Sequence, residues 1–146
     1  IKWNFPKWEQ VRANHQESWS QRIPTRQDVQ QLRGLLEFSD LNINMLSTMS
    51  LDFMLCDKPV INPVFGNAKN GLYNDQRFLG YAHIEYLVNS KASKVVKTSE
   101  ALLQAITIYL TQDLDATNRK KFIEQQVGVT LQKTSKQLAD SLKIWA

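Results

Sequence analysis

The order of short apolar runs and amphipathic stretches predicts an α/β chain. It should form a partial Rossmann-like layer, with a short parallel sheet flanked by helices and a helical C-terminal part. Three observations carry this expectation. Residues 41–46, 60–61 and 94–97 are short, mostly apolar or β-branched segments. Stretches with apolar residues at helical spacing lie between and after them. Strands that alternate with helices imply crossover connections, and therefore parallel pairing. Parallel strands covered on both faces read as short apolar runs rather than as alternating ones.

Taken along the chain, residues 1–6 (IKWNFP) alternate apolar and polar positions before Pro6 and read as a short strand. Residues 7–14 read as partly helical, and the rest up to Pro24 as loop. Thr25 is a good N-cap, with Asp28 three residues on as an approximate capping box. Val29, Leu32, Leu35 and Leu36 then form one stripe, so a helix is expected over 25–38. The segment 39–63 (SDLNINMLSTMSLDFMLCDKPVINP) reads as strand, tight turn, short helix over 47–56 and second strand, closed by Pro63. Residues 64–76 hold two Gly and three Asn and read as loop. Helices are expected near 82–89, over 98–111 and over 115–127, the last ending at Gly128. A final helical stretch is expected over 131–144. Leu41, Ile43, Leu51, Leu55, Val60, Ile61, Leu102, Leu103 and Ile106 form the expected core.

The composition sets bounds. A chain of 146 residues, 42% hydrophobic, with five Gly and four Pro, suits one ordinary globular domain over 1–146. A net charge of +4 is compatible with a phosphorylated ligand or an anionic membrane surface, and falls short of the cationic stripe of a dedicated nucleic-acid binder. The single Cys56 excludes an intrachain disulfide and suits a reducing compartment. No apolar run approaches the roughly 18 residues of a membrane span. The chain opens at Ile1 rather than Met, directly in strand-like sequence, as an excised piece of a longer protein would.

Some of the candidate site residues admit two readings. Ser47 and Thr48 stand on the turn where a helix begins. Their hydroxyls can cap the helix, or contact phosphate beside its outward N–H groups, and one does not exclude the other. Asp52, one turn later, reads by itself as a solvated polar residue on an otherwise apolar helix, and His83 as a structural or exposed residue. Arg119, Lys120 and Lys121 form a solvated face or touch an anionic membrane. Two His and one Cys make no closed zinc site.

The ordered string Ser47, Thr48, Asp52 and Lys58-Pro59-Val60-Ile61 resembles the C-terminal, donor-binding half of GT-B-type glycosyltransferases. It is most similar to bacterial surface-polysaccharide enzymes and CDP-glycerol glycerophosphotransferases. The segments HIEYLV and SKVVKTSEALLQAITIYL continue that order of elements, and the resemblance spans residues 25–127. The family's glycine-rich segment stands here as Asn89-Ser90-Lys91-Ala92-Ser93, without glycine.

The resemblance implies a nucleotide-sugar donor as ligand, held by Ser47, Thr48, Met49, Ser50 and Asp52, with Asp52 accepting ribose hydroxyls or supporting the binding loop, and His83 in a catalytic role, stabilising leaving-group charge when protonated. It implies glycosyl transfer to a cell-surface polysaccharide or glycolipid with no metal or other cofactor, and an N-terminal acceptor-binding half as partner. The fragment alone would then be inactive. It further implies a cytoplasmic setting, peripheral at the inner face of the membrane. Polyol-phosphate transfer from a CDP-activated donor, or a non-catalytic α/β interaction module, are the alternatives.

Overall fold

The computed structural model describes residues 2–11, 21–66, 79–128 and 134–144. The chain divides into two compact units, Ile1–Ser39 and Asp40–Ala146.

The first unit is organised by a capping box. Helix α1 (Arg26–Phe38) starts after Thr25, whose Oγ1 accepts from the Asp28 N–H at 3.1 Å, while Asp28 Oδ2 accepts from the Thr25 N–H at 2.8 Å. Asp28 Oδ1 also accepts the Lys7 N–H at 2.7 Å. One carboxylate thus closes the helix start and anchors the incoming chain. The Thr25 hydroxyl and the Lys7 N–H hold its pKa below the usual carboxylate value.

Strands β1 (Glu9–Gln10) and β2 (Arg22–Ile23) pair antiparallel. This ribbon replaces the strand expected at 1–6 and the helix expected at 7–14. Residues 2–8 have no regular structure, and 12–20 lie outside the described residues. Glu9 and Gln10 pair with a non-local partner, which local periodicity does not register. On α1, Leu32 and Leu36 are half-buried while Val29 and Leu35 are exposed.

The second unit has the expected α/β layer. Strands β3 (Asn42–Ile43), β4 (Val60–Pro63) and β5 (Lys94–Val96) pair in parallel in the order β3-β4-β5. Helix α2 (Met49–Leu55) joins β3 to β4, and α3 (Ala82–Ser90) precedes β5. Helices α4 (Ser99–Tyr109), α5 (Ala116–Val127) and α6 (Thr134–Ile144) follow. Thr98 caps α4 through its Oγ1, which accepts from the Ala101 N–H at 3.1 Å. Lys91, in the left-handed region at φ 55°, ends α3. Gly128 ends α5 as expected. Residues 64–66 are irregular, in keeping with the expected loop, and 67–76 lie outside the described residues.

Neighbouring strand residues point to opposite faces. Ile61 faces α4, in a cluster with Val96, Ala105 and Tyr109, bordered by Leu41, Leu102 and Ile106. Asn62, the next residue, bonds instead to Ser50 of α2. Helices therefore cover both faces of the sheet, which is why β4 is fully buried from Val60 to Asn62.

The expected core is correct at its centre and wrong at its rim. Val60 and Ile61 are buried, and Leu41, Leu51, Leu102 and Ile106 are half-buried. Ile43, Leu55 and Leu103 are exposed. Ile43 lies on an edge strand of only two residues. The buried stripe of α4 runs through Ala105 and Tyr109, which turns Leu103 to the opposite side.

Helix α5 buries a cation. Arg119 is 1% exposed, so it belongs neither to a solvated face nor to a membrane-contacting one. Its guanidinium donates to both oxygens of Asp113, each at 2.6 Å, and to Asp57 Oδ1 at 3.1 Å. These bonds tie α5 to the end of α2 and to the loop before α5. Lys120 and Lys121 are exposed, as the solvated reading expects.

Breaking a buried ion pair strands a charge, whereas an exposed partner contributes little. Arg119→Ala should cost about 3–5 kcal/mol in urea unfolding followed by circular dichroism. Asp57→Ala, with an 80% exposed side chain, should cost under about 1 kcal/mol. A smaller loss for Arg119→Ala than for Asp57→Ala would contradict this account.

The Arg119 hydrogen bonds hold the Asp113 carboxyl below its usual range. A lowered folded-state pKa contributes stability above the unfolded value of about 3.9 and loses it as pH falls through the folded value. Stability measured from about pH 5 down to pH 2 should therefore fall less steeply for Asp113→Asn than for the wild-type chain. Equal slopes would contradict the pairing.

Candidate functional site

The site is built by the crossovers. A helix that follows a strand and returns to the sheet's start runs antiparallel to it, so α2 and α3 both begin at the strands' carboxyl ends. This brings the start of α2 and the start of α3 together across 35 residues of sequence, from Thr48 to His83. Helix α5 runs antiparallel to both. Its first half meets their far ends, through Arg119 to Asp57 and Asn118 Nδ2 to the Lys91 carbonyl at 3.3 Å. Its second half meets α3 through Tyr86, whose ring centroid lies 5.5 Å from that of Phe122 and whose hydroxyl donates to Gln125 Oε1.

A cavity of about 210 Å³ opens where the three helices converge. Its apolar floor is Leu46, Leu51, Ile84, Leu87 and Phe122. Ser47, Thr48, His83 and Gln126 supply the polar wall, and all four are exposed.

A polar network holds the loop that carries Ser47 and Thr48. Asn44 sits just beyond β3. Its Oδ1 accepts from the Ser47 N–H at 2.8 Å, the Ser50 hydroxyl at 3.2 Å and Asn62 Nδ2 at 3.2 Å. Its Nδ2 donates to Ser50 Oγ at 3.1 Å and to Asn42 Oδ1. Asn62 Nδ2 further donates to the Asn44 carbonyl at 2.9 Å, which fixes the orientation of that amide. Asn62 Oδ1 is then buried without a hydrogen-bond partner among the described residues. Leu46, 6% exposed, adopts φ 56°, a left-handed conformation costly for a bulky side chain and sustained here by its burial.

The loop departs from the expected anion cradle. Four of the N–H groups there are spent within the chain: Ser47 on Asn44, Met49 on Ser47 Oγ at 3.3 Å, Ser50 on the Ser47 carbonyl and Leu51 on the Thr48 carbonyl. Helix α2 has only seven residues, against the ten expected over 47–56, so its dipole is small. The groups that face the cavity are side chains.

Of the residues singled out in the sequence, Ser47, Thr48 and His83 meet at one mouth. Thr48 makes no capping hydrogen bond, whereas Ser47 Oγ accepts one. Ser50 reaches the wall, but it is fully buried and its hydroxyl is committed to Asn44 and Asn62. Met49 and Asp52 are half-buried and do not line the cavity. Sequence reading missed Gln126, Leu87 and Phe122, which are ordinary helix residues without their tertiary setting. It also missed Asn44 and Asn62. Asparagine inside or beside a buried strand is uncommon, and that was the available signal.

Among the described residues, no three His, Cys, Asp or Glu side chains stand together as a metal site would require. No helix among them is long and apolar enough to cross a membrane. Comparisons with family models, curated proteins and solved structures returned no match to this chain.

Removing the Asn44 side chain would take the acceptor from the Ser47 N–H and from the buried Ser50 hydroxyl at once, while Asn62 Nδ2 keeps the Asn44 carbonyl. A buried donor left unsatisfied costs about 1–3 kcal/mol. Asn44→Ala should therefore lower unfolding stability by at least about 2 kcal/mol. Ser47→Ala and Thr48→Ala, both at exposed positions, should each cost under about 1 kcal/mol. Equal losses for all three in thermal or urea unfolding would refute the assignment of Asn44 as the anchor.

Proposed function

We propose that this chain is the donor-binding part of a glycosyltransferase, holding the diphosphate of a nucleotide-sugar at Ser47, Thr48 and His83. The observation that carries the reading is the convergence of these three side chains at one cavity mouth beyond the carboxyl end of a parallel sheet. Ligands of open α/β sheets bind at that end. Two hydroxyls can donate to phosphate oxygens, and a protonated imidazole can offset charge on the departing diphosphate. In this reading the oxyanion is met by side chains rather than by backbone N–H groups, and Asp52 lies one turn away as a candidate for ribose hydroxyls.

At about 210 Å³ the cavity is smaller than the roughly 300–1,000 Å³ of a complete small-ligand site. Such a cavity takes part of a nucleotide-sugar and leaves the rest outside, as suits a donor-binding part completed by a second, acceptor-binding half. The reading carries a cytoplasmic setting, peripheral at the membrane's inner face. Support for it comes from the lone exposed Cys56 and the exposed Lys120 and Lys121.

A non-catalytic interaction module is the competing reading. It is favoured by one observation, the internal hydrogen bonds that the N–H groups of Ser47, Met49, Ser50 and Leu51 already make.

Calorimetric titration of UDP, CDP and GDP separates the two. The proposal expects saturable binding of at least one diphosphate, weakened about tenfold or more by Ser47→Ala combined with Thr48→Ala, since a hydrogen bond to a charged group contributes about 1.5–3 kcal/mol. A folded chain that binds none of the three would favour the interaction module.

A further inference from the structure

The cavity wall is divided by chemistry. Hydroxyls and an imidazole lie on the α2 and α3 side of the mouth, while Leu46, Leu51, Ile84, Leu87 and Phe122 form a dry floor beneath them. Leu46, Ile84, Leu87 and Phe122 are each 6% exposed or less, so the floor belongs to the core and is preformed. Gln126 marks the remaining side, one residue before the end of α5. The carbonyl end of a helix carries partial negative charge. An anion is therefore favoured on the Ser47, Thr48 and His83 side and disfavoured on the Gln126 side. The polarity of the mouth orients whatever enters.

The volume sets what can enter. A cavity of about 150 Å³ lined by Leu, Ile and Phe holds a benzene ring. Some 210 Å³ with a similar lining holds one six-membered ring and little more. The floor supplies no charged group, and the Ser50 hydroxyl at its wall is already spent on Asn44 and Asn62. A polyhydroxylated sugar would lose its hydration there with nothing in exchange. An apolar or weakly polar ring would lose nothing.

From this division we infer that the site recognises a bipartite ligand. A single flat ring inserts onto Leu51, Ile84, Leu87 and Phe122, and an oxyanion joined to it stays at the mouth on Ser47, Thr48 and His83. The inference rests on the anion-binding part of the proposed function and adds the ring as the determinant of affinity. The sugar of a nucleotide-sugar would then lie outside the cavity, and the ring-bearing end of the ligand inside it.

Phenyl phosphate is the minimal probe, and inorganic phosphate and UDP are its controls. Binding is followed by ¹³C-methyl NMR of the intact chain. The inference expects phenyl phosphate to bind at least tenfold more tightly than inorganic phosphate, with the largest shifts at the methyls of Leu51, Ile84 and Leu87. Leu51→Phe, which extends a half-buried wall residue into the cavity, should reduce that preference to about twofold or less. The variant's spectrum must still show a folded chain. Ser47→Ala with Thr48→Ala should weaken both ligands while leaving the ring shifts in place at saturation.

Equal affinity for the two phosphates, or shifts that avoid the floor, would overturn the inference, as would a preference unchanged in a folded Leu51→Phe chain. If Leu51→Phe does not fold, Leu87→Phe serves as the second plug under the same criteria. UDP binding without any preference for phenyl phosphate would overturn the ring and leave the nucleotide reading standing. Phenyl phosphate binding by a chain that ignores UDP, CDP and GDP would sustain the ring and sink the nucleotide reading.

Discussion

The second unit depends on Asn44 for the geometry of its site. One side-chain oxygen gathers donors from the loop, from α2 and from β4, so the end of β3, the start of α2 and the end of β4 form a single hydrogen-bonded body. Without it, Ser47 and Thr48 would sit on a tether. With it, Leu46 is held in a left-handed conformation that a leucine would otherwise avoid, and the next two residues are delivered to the cavity mouth. Buried polar networks have high stakes, because a satisfied one specifies a unique arrangement and a half-satisfied one costs more than an apolar core. Here the donors of the Asn62 amide are satisfied, while its oxygen has no partner among the described residues.

Arg119 does for the far side what Asn44 does for the near one. Helix α5 contributes Phe122 and Gln126 to the cavity, and its placement is fixed by a guanidinium shared between Asp113 and Asp57. The Tyr109 hydroxyl, bonded to Asp115, adds a second link between the end of α4 and the start of α5. Burial and that neighbouring carboxylate raise the phenol's pKa, so Tyr109 remains a neutral donor. The cavity wall thus rests on polar contacts at two places remote from its own apolar floor.

Much of the second unit was legible in the sequence because its signals are local. Thr98 before a helical stripe, Gly128 after one, and the β-branched Val60-Ile61 and Val95-Val96 pairs each point to the element that forms. The Thr25 and Asp28 capping box was equally plain. The ribbon of β1 and β2 was not, since strands of two residues have too little pattern to register and owe their pairing to each other. Arg119 misled for a related reason. A cation beside two lysines looks solvated until tertiary structure supplies Asp57, 62 residues away. The hydroxyl pair and His83 were visible as residue types, but their meeting depends on two strand–helix–strand crossovers into one parallel sheet. Gln126 and the apolar floor come from helices with no local mark of a site.

The central claim is spatial: the proposed ligand enters between the starts of α2 and α3, not elsewhere on the second unit. The exposed Leu103 on α4 and Leu110 just after it offer a control surface away from the cavity. The most direct test is to map backbone and imidazole NMR shifts on addition of a nucleoside diphosphate. The account predicts the largest changes at Ser47, Thr48, His83 and Gln126, with Leu103 and Leu110 unmoved. Changes centred on Leu103 and Leu110, with Ser47 and His83 silent, would contradict it.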